Sequence, residues 1–153
     1  LKMNNLLNLT QIKLDQNLSS QQEVFELISQ IAVDHGIANS KQEVIDGLKH
    51  REEESTTGFQ DGFAIPHTQT SAITKPGIVV VSSNDGIEWE SLDEKPARFF
   101  ISLLIPEEEV GTTHIKALAS LSRMLIHDDK REKLLNAESA DTVYETINEA
   151  LNQ

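Results

Sequence analysis

The sequence predicts an α/β protein of one domain, with a central sheet of about five strands and helices on both faces. Three observations predict it. Apolar residues recur at helical spacing near the start of the chain and again near its end, while the middle reads as short β-branched and apolar runs bounded by glycine, proline and asparagine. A length of 153 residues suits one core, and no linker or internal repeat divides it. Two helices, then strands, then two or three helices are enough to cover one sheet on both sides.

Leu9 to Leu14 alternates apolar and polar residues and predicts a first short strand. From Ser20, Val24, Phe25, Leu27, Ile28, Ile31 and Ala32 recur at helical spacing, and Gly36 stands where a left-handed stop belongs. Ser40 and Glu43 have capping-box spacing for a second helix, with Val44, Ile45 and Leu48 as its buried stripe. That helix runs through Arg51 into Glu52, Glu53 and Glu54. Strands are expected within Gly58 to Ile65, at Ile78 to Val81, at Ile87 to Trp89 after a turn at Asn84-Asp85-Gly86, and at Phe99 to Ile105, ended by Pro106. Ile115, Leu118, Ala119, Ser122, Leu125 and Ile126 mark a long helix opened by Thr112 or Thr113. Asp128 is expected to cap a short helix reaching Asn136. Ser139 or a neighbour opens the last, burying Val143, Tyr144, Ile147, Ala150 and Leu151.

Composition narrows the function. Thirteen basic against 25 acidic residues leave a formal charge of −12, which excludes binding nucleic acid through its phosphates and favours basic protein partners. No apolar run reaches membrane-spanning length, so no direct membrane insertion is expected. There is no cysteine, which removes disulfides and thiolate catalysis. Without a secretion signal pattern, a cytoplasmic location is expected. No HExxH, Walker or GxSxG pattern occurs, and no metal site or cofactor is expected.

Five histidines are the candidate reactive groups. His35 and His127 fall at helix C-terminal ends, where the dipole favours a cation and a structural role suffices. His50 lies among charged residues and reads as solvated. His67 differs. It follows Phe63-Ala64-Ile65-Pro66, and Pro66 cannot continue a sheet interior. An imidazole is thereby delivered to the end of a strand where a loop begins, and neutral imidazole is a nucleophile near pH 7. His114 opens a helix beside the free first-turn N–H groups, a ready anion site. Arg51 reads either as a surface ion-pair member or as a guanidinium reaching a phosphoryl group. Ser55, Thr56 and Thr57 before Gly58 suit a phosphate contact or a turn. Phe59 and Phe63 are expected to supply an apolar patch near His67.

Arg51-Glu52, Ser55-Thr56-Thr57-Gly58-Phe59 and Gly62-Phe63-Ala64-Ile65-Pro66-His67 together resemble the fructose/mannitol-type enzyme IIA of the bacterial phosphotransferase system. So do Gly86-Ile87-Glu88-Trp89 with Leu92-Asp93, the strand Phe99 to Pro106, Thr113-His114-Ile115 with Leu118-Ala119 and Leu121-Ser122-Arg123, and Arg131 to Leu135. The resemblance covers nearly the whole chain. It implies a mixed sheet and a type 2 domain over residues 4–151, with His67 as phosphoryl acceptor, His114 as second active-site histidine and Arg51 as active-site arginine. Thr57 and the first-turn amides at Thr113 and Ile115 become candidate phosphoryl contacts. Gln60 departs from the small residue or glycine of many relatives. The resemblance also implies the partners. The small phosphocarrier protein HPr would donate, and a IIB component with a cysteine acceptor, on a separate chain or a fused domain, would receive. Two rivals stand beside this sugar-uptake reading: a nitrogen-type regulatory module, and a binding module that keeps the fold without the chemistry.

Overall fold

Among the described residues, serines start three of the five α-helices. Ser20, Ser40 and Ser139 each sit in extended backbone and accept a hydrogen bond from the amide of Glu23, Glu43 and Thr142, satisfying one free first-turn donor. The computed structural model describes residues 5–109 and 111–153. Asn4, where the domain was expected to begin, lies outside the described residues. In chain order the elements are β1 (Ile12–Gln16), α1 (Gln21–Asp34), α2 (Lys41–Glu54), β2 (Phe63–Ala64), β3 (His67–Thr70), β4 (Gly77–Ile87), β5 (Ala97–Pro106), α3 (Thr113–Ile126), α4 (Asp128–Leu135) and α5 (Ala140–Leu151).

One mixed five-stranded sheet has the order β1-β4-β5-β2, with β3 also on β5. β1 runs parallel to β4, β4 antiparallel to β5, and β2 and β3 both parallel to β5. The alternation of side chains along β4 and β5 sorts the core into two layers. Val79, Val81, Phe100 and Leu104 face α1 and α2, with Val24, Phe25, Ile28, Val44 and Leu48. Ile78, Val80, Phe99, Ile101, Leu103 and Ile105 face the other way, onto Ala117, Leu121, Leu125, Val143 and Ile147. The α/β architecture with helices on both faces is as the sequence indicates.

Several elements differ in detail. Leu9–Gln11 is a 3-10 turn rather than strand, because the Asn8 side chain accepts from the Thr10 amide, and the strand begins only at Ile12. Asn84-Asp85-Gly86 does not turn the chain. β4 runs through it with a register shift between Ser82 and Ile87, while Asn84 Nδ2 donates to Asp15 O at 3.1 Å and to Asn17 Oδ1 at 2.8 Å. Those bonds supply what a turn would otherwise supply. Asp128 is the first residue of α4 and not its cap. His127 holds the cap position without a side-chain bond, and Asp128 Oδ1 instead accepts from Arg131 Nη2. On α3 the buried stripe is Ala117, Ser120, Leu121, Met124 and Leu125, so Ile115 and Ile126 point outward, each 60% exposed. Tyr144 and Ala150 are half-buried and pack against the α5 side of the core. Gly36 has φ +70°, the left-handed stop that the sequence indicates.

Candidate active site

β2 and β3 are one edge strand interrupted at Ile65–Pro66. Phe63 pairs with Phe99 and His67 with Leu103, so no register slips across the break. Proline has no N–H to give, yet its carbonyl accepts from the Leu103 amide at 3.0 Å and pairing resumes at once. His67 therefore opens a strand, where the sequence suggested that a loop begins. The polar run His67-Thr68-Gln69-Thr70 carries no strand signal of its own, and β5 supplies the partner.

His67 has the parity of Phe63 and Ile65, whose side chains lie in the α3-side core. Its ring is half-buried. Nδ1–H donates to the Ile65 carbonyl at 2.7 Å. A carbonyl can only accept, so the proton sits on Nδ1 and the lone pair on Nε2. Burial is the largest cause that holds the ring's pKa below its ordinary 6.5. The Ile65 hydrogen bond works the other way, the nearby Arg51 and His114 lower it further, and Glu52 opposes them. The result is a neutral imidazole with a free Nε2 near pH 7.

An open cleft of about 590 Å³ brings the three principal candidates together. His67, Arg51 and His114 line it, with Gly47, His50 and Glu54 from α2, Thr68 to Ser71 from the strand and its end, and Leu103 and Ile105 from β5. Gly47 marks how closely α2 lies on β3, since a Cβ there would stand 2.6 Å from Thr68 Oγ1. Arg51 comes from the last turn of α2. Its Nη1 donates to Ser55 O at 2.8 Å and to Ser55 Oγ at 3.3 Å, and it forms no ion pair among the described residues. The neighbouring glutamates are turned elsewhere: Glu52 to Thr56, Thr57 and Trp89, and Glu54 toward His50 at 3.9 Å. His114 is half-buried in the first turn of α3, where Thr113, His114 and Ile115 have no intrahelical acceptor for their amides. Thr112 adds no side-chain cap bond.

Other candidates are placed differently. Thr57 is buried outside the cleft lining, and its amide and hydroxyl both donate to Glu52, at 2.7 and 2.5 Å. Phe63 is wholly buried on Phe99, with ring centroids 5.1 Å apart, and Phe59 is half-buried against the same core. The exposed apolar side chain beside His114 is Ile115. Sequence reasoning passed over Glu52, whose partners lie up to 37 positions away and leave no periodic signal. Among the described residues no group of three or more His, Cys, Asp and Glu side chains is placed to hold a metal ion, and no helix is long and apolar enough to cross a membrane.

Residues 5–150 match the family model described as "Phosphoenolpyruvate-dependent sugar phosphotransferase system, EIIA 2". The chain belongs to this EIIA type 2 family. It is a phosphocarrier, a phosphotransferase component of that system. It is 37% identical over 140 residues to a "PTS system fructose-specific EIIA component" of Haloferax volcanii, covering 92% of this chain and 90% of that one. It is 33% identical over 149 residues to a "PTS system fructose-specific EIIABC component" of Bacillus subtilis, covering 97% of this chain but only 23% of that protein. The crystal structure of nitrogen regulatory protein IIA-Ntr from Neisseria meningitidis superposes with a TM-score of 0.86 at 25% identity, over 93% of this chain and 96% of that one. A complex of enzyme IIAMTL with phosphorylated enzyme IIBMTL from Escherichia coli shares the fold, with a TM-score of 0.77 at 22% identity over 92% and 96%.

Proposed function

We propose that His67 is the phosphoryl acceptor of this EIIA, receiving the group from phospho-HPr and passing it to a IIB component in sugar uptake of the fructose type. The observation that carries the reading is the His67 ring itself. The Ile65 carbonyl holds its proton on Nδ1 and leaves Nε2 unprotonated, in a cleft shared with Arg51 and His114. Nε2 attacks phosphorus as the bond to the donor histidine breaks, and the donor ring keeps the released electron pair. The transferring group carries its charge on equatorial oxygens. The Arg51 guanidinium, the His114 ring and the first-turn amides of Thr113 to Ile115 are the donors that meet that charge. The Ile65 carbonyl then accepts from Nδ1–H of the phosphorylated ring. Onward transfer reverses the geometry, with the cysteine thiolate of a separate or fused IIB as nucleophile, since this chain has no cysteine.

The fructose-specific relatives support a sugar branch. A second reading, regulation by phosphorylation-dependent protein binding, has its own support: the likeness to the Neisseria IIA-Ntr structure and 28% identity over 133 residues to a "Nitrogen regulatory protein" of Pseudomonas aeruginosa. Reconstitution separates them. With phosphoenolpyruvate, enzyme I and HPr the protein becomes phosphorylated in both cases. Rapid passage of the group to a fructose-type IIB supports transport, and a phosphoprotein that keeps its group in the presence of IIB supports regulation.

A further inference from the structure

The Glu52 carboxylate takes no part in the transfer step, yet it gathers donors from two parts of the chain. Its Oε2 accepts from the Thr57 amide at 2.7 Å and from Trp89 Nε1 at 3.1 Å, and its Oε1 accepts from the Thr57 hydroxyl at 2.5 Å. Thr56 shares its one hydroxyl proton between Glu52 Oε2 at 2.9 Å and the Glu90 carbonyl at 2.5 Å. An ionised carboxylate, which only accepts, suits such a convergence. From there the bonds lead to the cleft. The Thr57 carbonyl accepts from the Ile65 amide at 3.0 Å, and the Ile65 carbonyl accepts from His67 Nδ1 at 2.7 Å.

We propose that Glu52 is a positioning residue, whose carboxylate, through Thr57, fixes the backbone of Ile65, whose carbonyl holds the His67 ring with its proton on Nδ1 and its lone pair on Nε2. The proposal rests on the reading of His67 as acceptor. It assigns the role to geometry and not to charge. A negative charge near His67 favours the protonated ring, which cannot attack phosphorus, so the Glu52 charge by itself works against the reaction. What Glu52 contributes is the placement of one carbonyl, as the partner of a reactive histidine fixes its tautomer and orientation.

Two substitutions separate geometry from charge. Glu52→Ala removes every acceptor. Glu52→Gln removes the charge, but its amide oxygen can stand where Oε2 stood, and the Thr57 hydroxyl can rotate to accept from the amide nitrogen. The ¹⁵N resonances of the His67 ring report the tautomer directly, and the indole N–H signal of Trp89, the chain's one tryptophan, reports whether the Glu52 cluster is intact. In Glu52→Ala the two ring nitrogens are expected to move toward the averaged shifts of mixed tautomers. Phosphoryl acceptance should fall about 10- to 100-fold, the scale for losing a residue that orients a reactive group through its partner. Glu52→Gln is expected to restore the Nδ1–H signature and most of the lost rate. If Glu52→Ala does not fold, Glu52→Asp takes its place. It keeps the charge on a shorter arm, and it should resemble the alanine variant's expected behaviour and not the glutamine variant's. A fixed wild-type tautomer in Glu52→Ala or Glu52→Asp, or a glutamine variant as slow as either, overturns the proposal. Absence of phosphorylation in the wild-type protein would instead overturn the acceptor reading, and the tautomer measurement would still decide the role of Glu52.

Discussion

Replacing Arg51 by methionine tests the electrostatic half of the transfer step. The substitution keeps an unbranched, helix-compatible side chain at the end of α2 and removes the guanidinium. Its cost to the fold should be small, because the bonds it loses run to the exposed Ser55 and no ion pair is broken. A change in unfolding free energy within about 0.5 kcal/mol is expected. The cost to transfer should be large. A preorganised donor aimed at developing charge is worth about 2.7–4 kcal/mol, or roughly 10²–10³ in rate. Arg51→Lys keeps the charge and loses the planar fork, so it should fall between wild type and Arg51→Met. Quenched-flow transfer from phospho-HPr, read as separate dependence on donor concentration and on the maximal rate, measures both. The maximal rate should drop with little change in half-saturation, because the contact forms with the transferring group. Arg51→Met transferring at the wild-type rate would refute the argument and leave the guanidinium as an ornament of the α2 C-terminus.

The remaining predictions concern pH, packing and salt. Since the pKa of His67 is depressed in the folded protein, the unfolded chain binds this proton more readily, and stability should fall as pH drops from about 6.5 through the folded value. A His67 ring titration by NMR with its midpoint at or above 6.5 would contradict the burial argument. Arg131 is buried, donates to the Leu125 and Ile126 carbonyls at 2.7 and 3.0 Å, and pairs with Asp61 and Asp128. Arg131→Met should cost about 1–3 kcal/mol by chemical denaturation, mostly for the orphaned carbonyls, because both carboxylates face solvent. An unchanged midpoint would show that water replaces the guanidinium without loss. With a formal charge of −12, and Glu43, Asp46 and Glu54 at the cleft, association with a basic donor should slow as salt rises, exposed charges being screened beyond about 8 Å at physiological ionic strength. A flat association rate in stopped flow would leave the acidic surface with solubility alone.

The helices were legible because local chemistry writes them. Ser20, Ser40 and Ser139 cap where the apolar stripes begin, and Gly36 stops α1 with the positive φ that suits glycine. The strands were legible where they are buried on both faces, as in Ile78 to Val81 and Phe99 to Ile105, and illegible where pairing comes from elsewhere. His67 to Thr70 is polar and becomes a strand only because β5 offers its edge. Asn84 to Gly86 has the composition of a turn but is held extended by bonds to Asp15, Asn17 and Arg98. Within the cleft, the meeting of His67, His114 and Arg51 joins residues from the edge strand and from helices on opposite faces of the sheet. Motif order pointed to that meeting and local periodicity did not. Phe63 was expected in an apolar patch near His67, but strand parity sends its side chain into the core. Glu52 reads from the sequence as one of three glutamates that end a helix, since nothing local announces contacts with Thr57 and Trp89.

The central claim is that the group travels on Nε2 of His67, and its most direct measurement is the site and chemistry of the phosphorylated protein. Wild-type protein is incubated with phosphoenolpyruvate, enzyme I and HPr, intact mass is recorded beside His67→Ala, and ³¹P NMR distinguishes Nε2- from Nδ1-phosphohistidine. One phosphoryl group on the wild type, linked through Nε2, and none on His67→Ala is the expected result. A His67→Ala protein that still gains the group, or a wild-type linkage through Nδ1, would contradict the account.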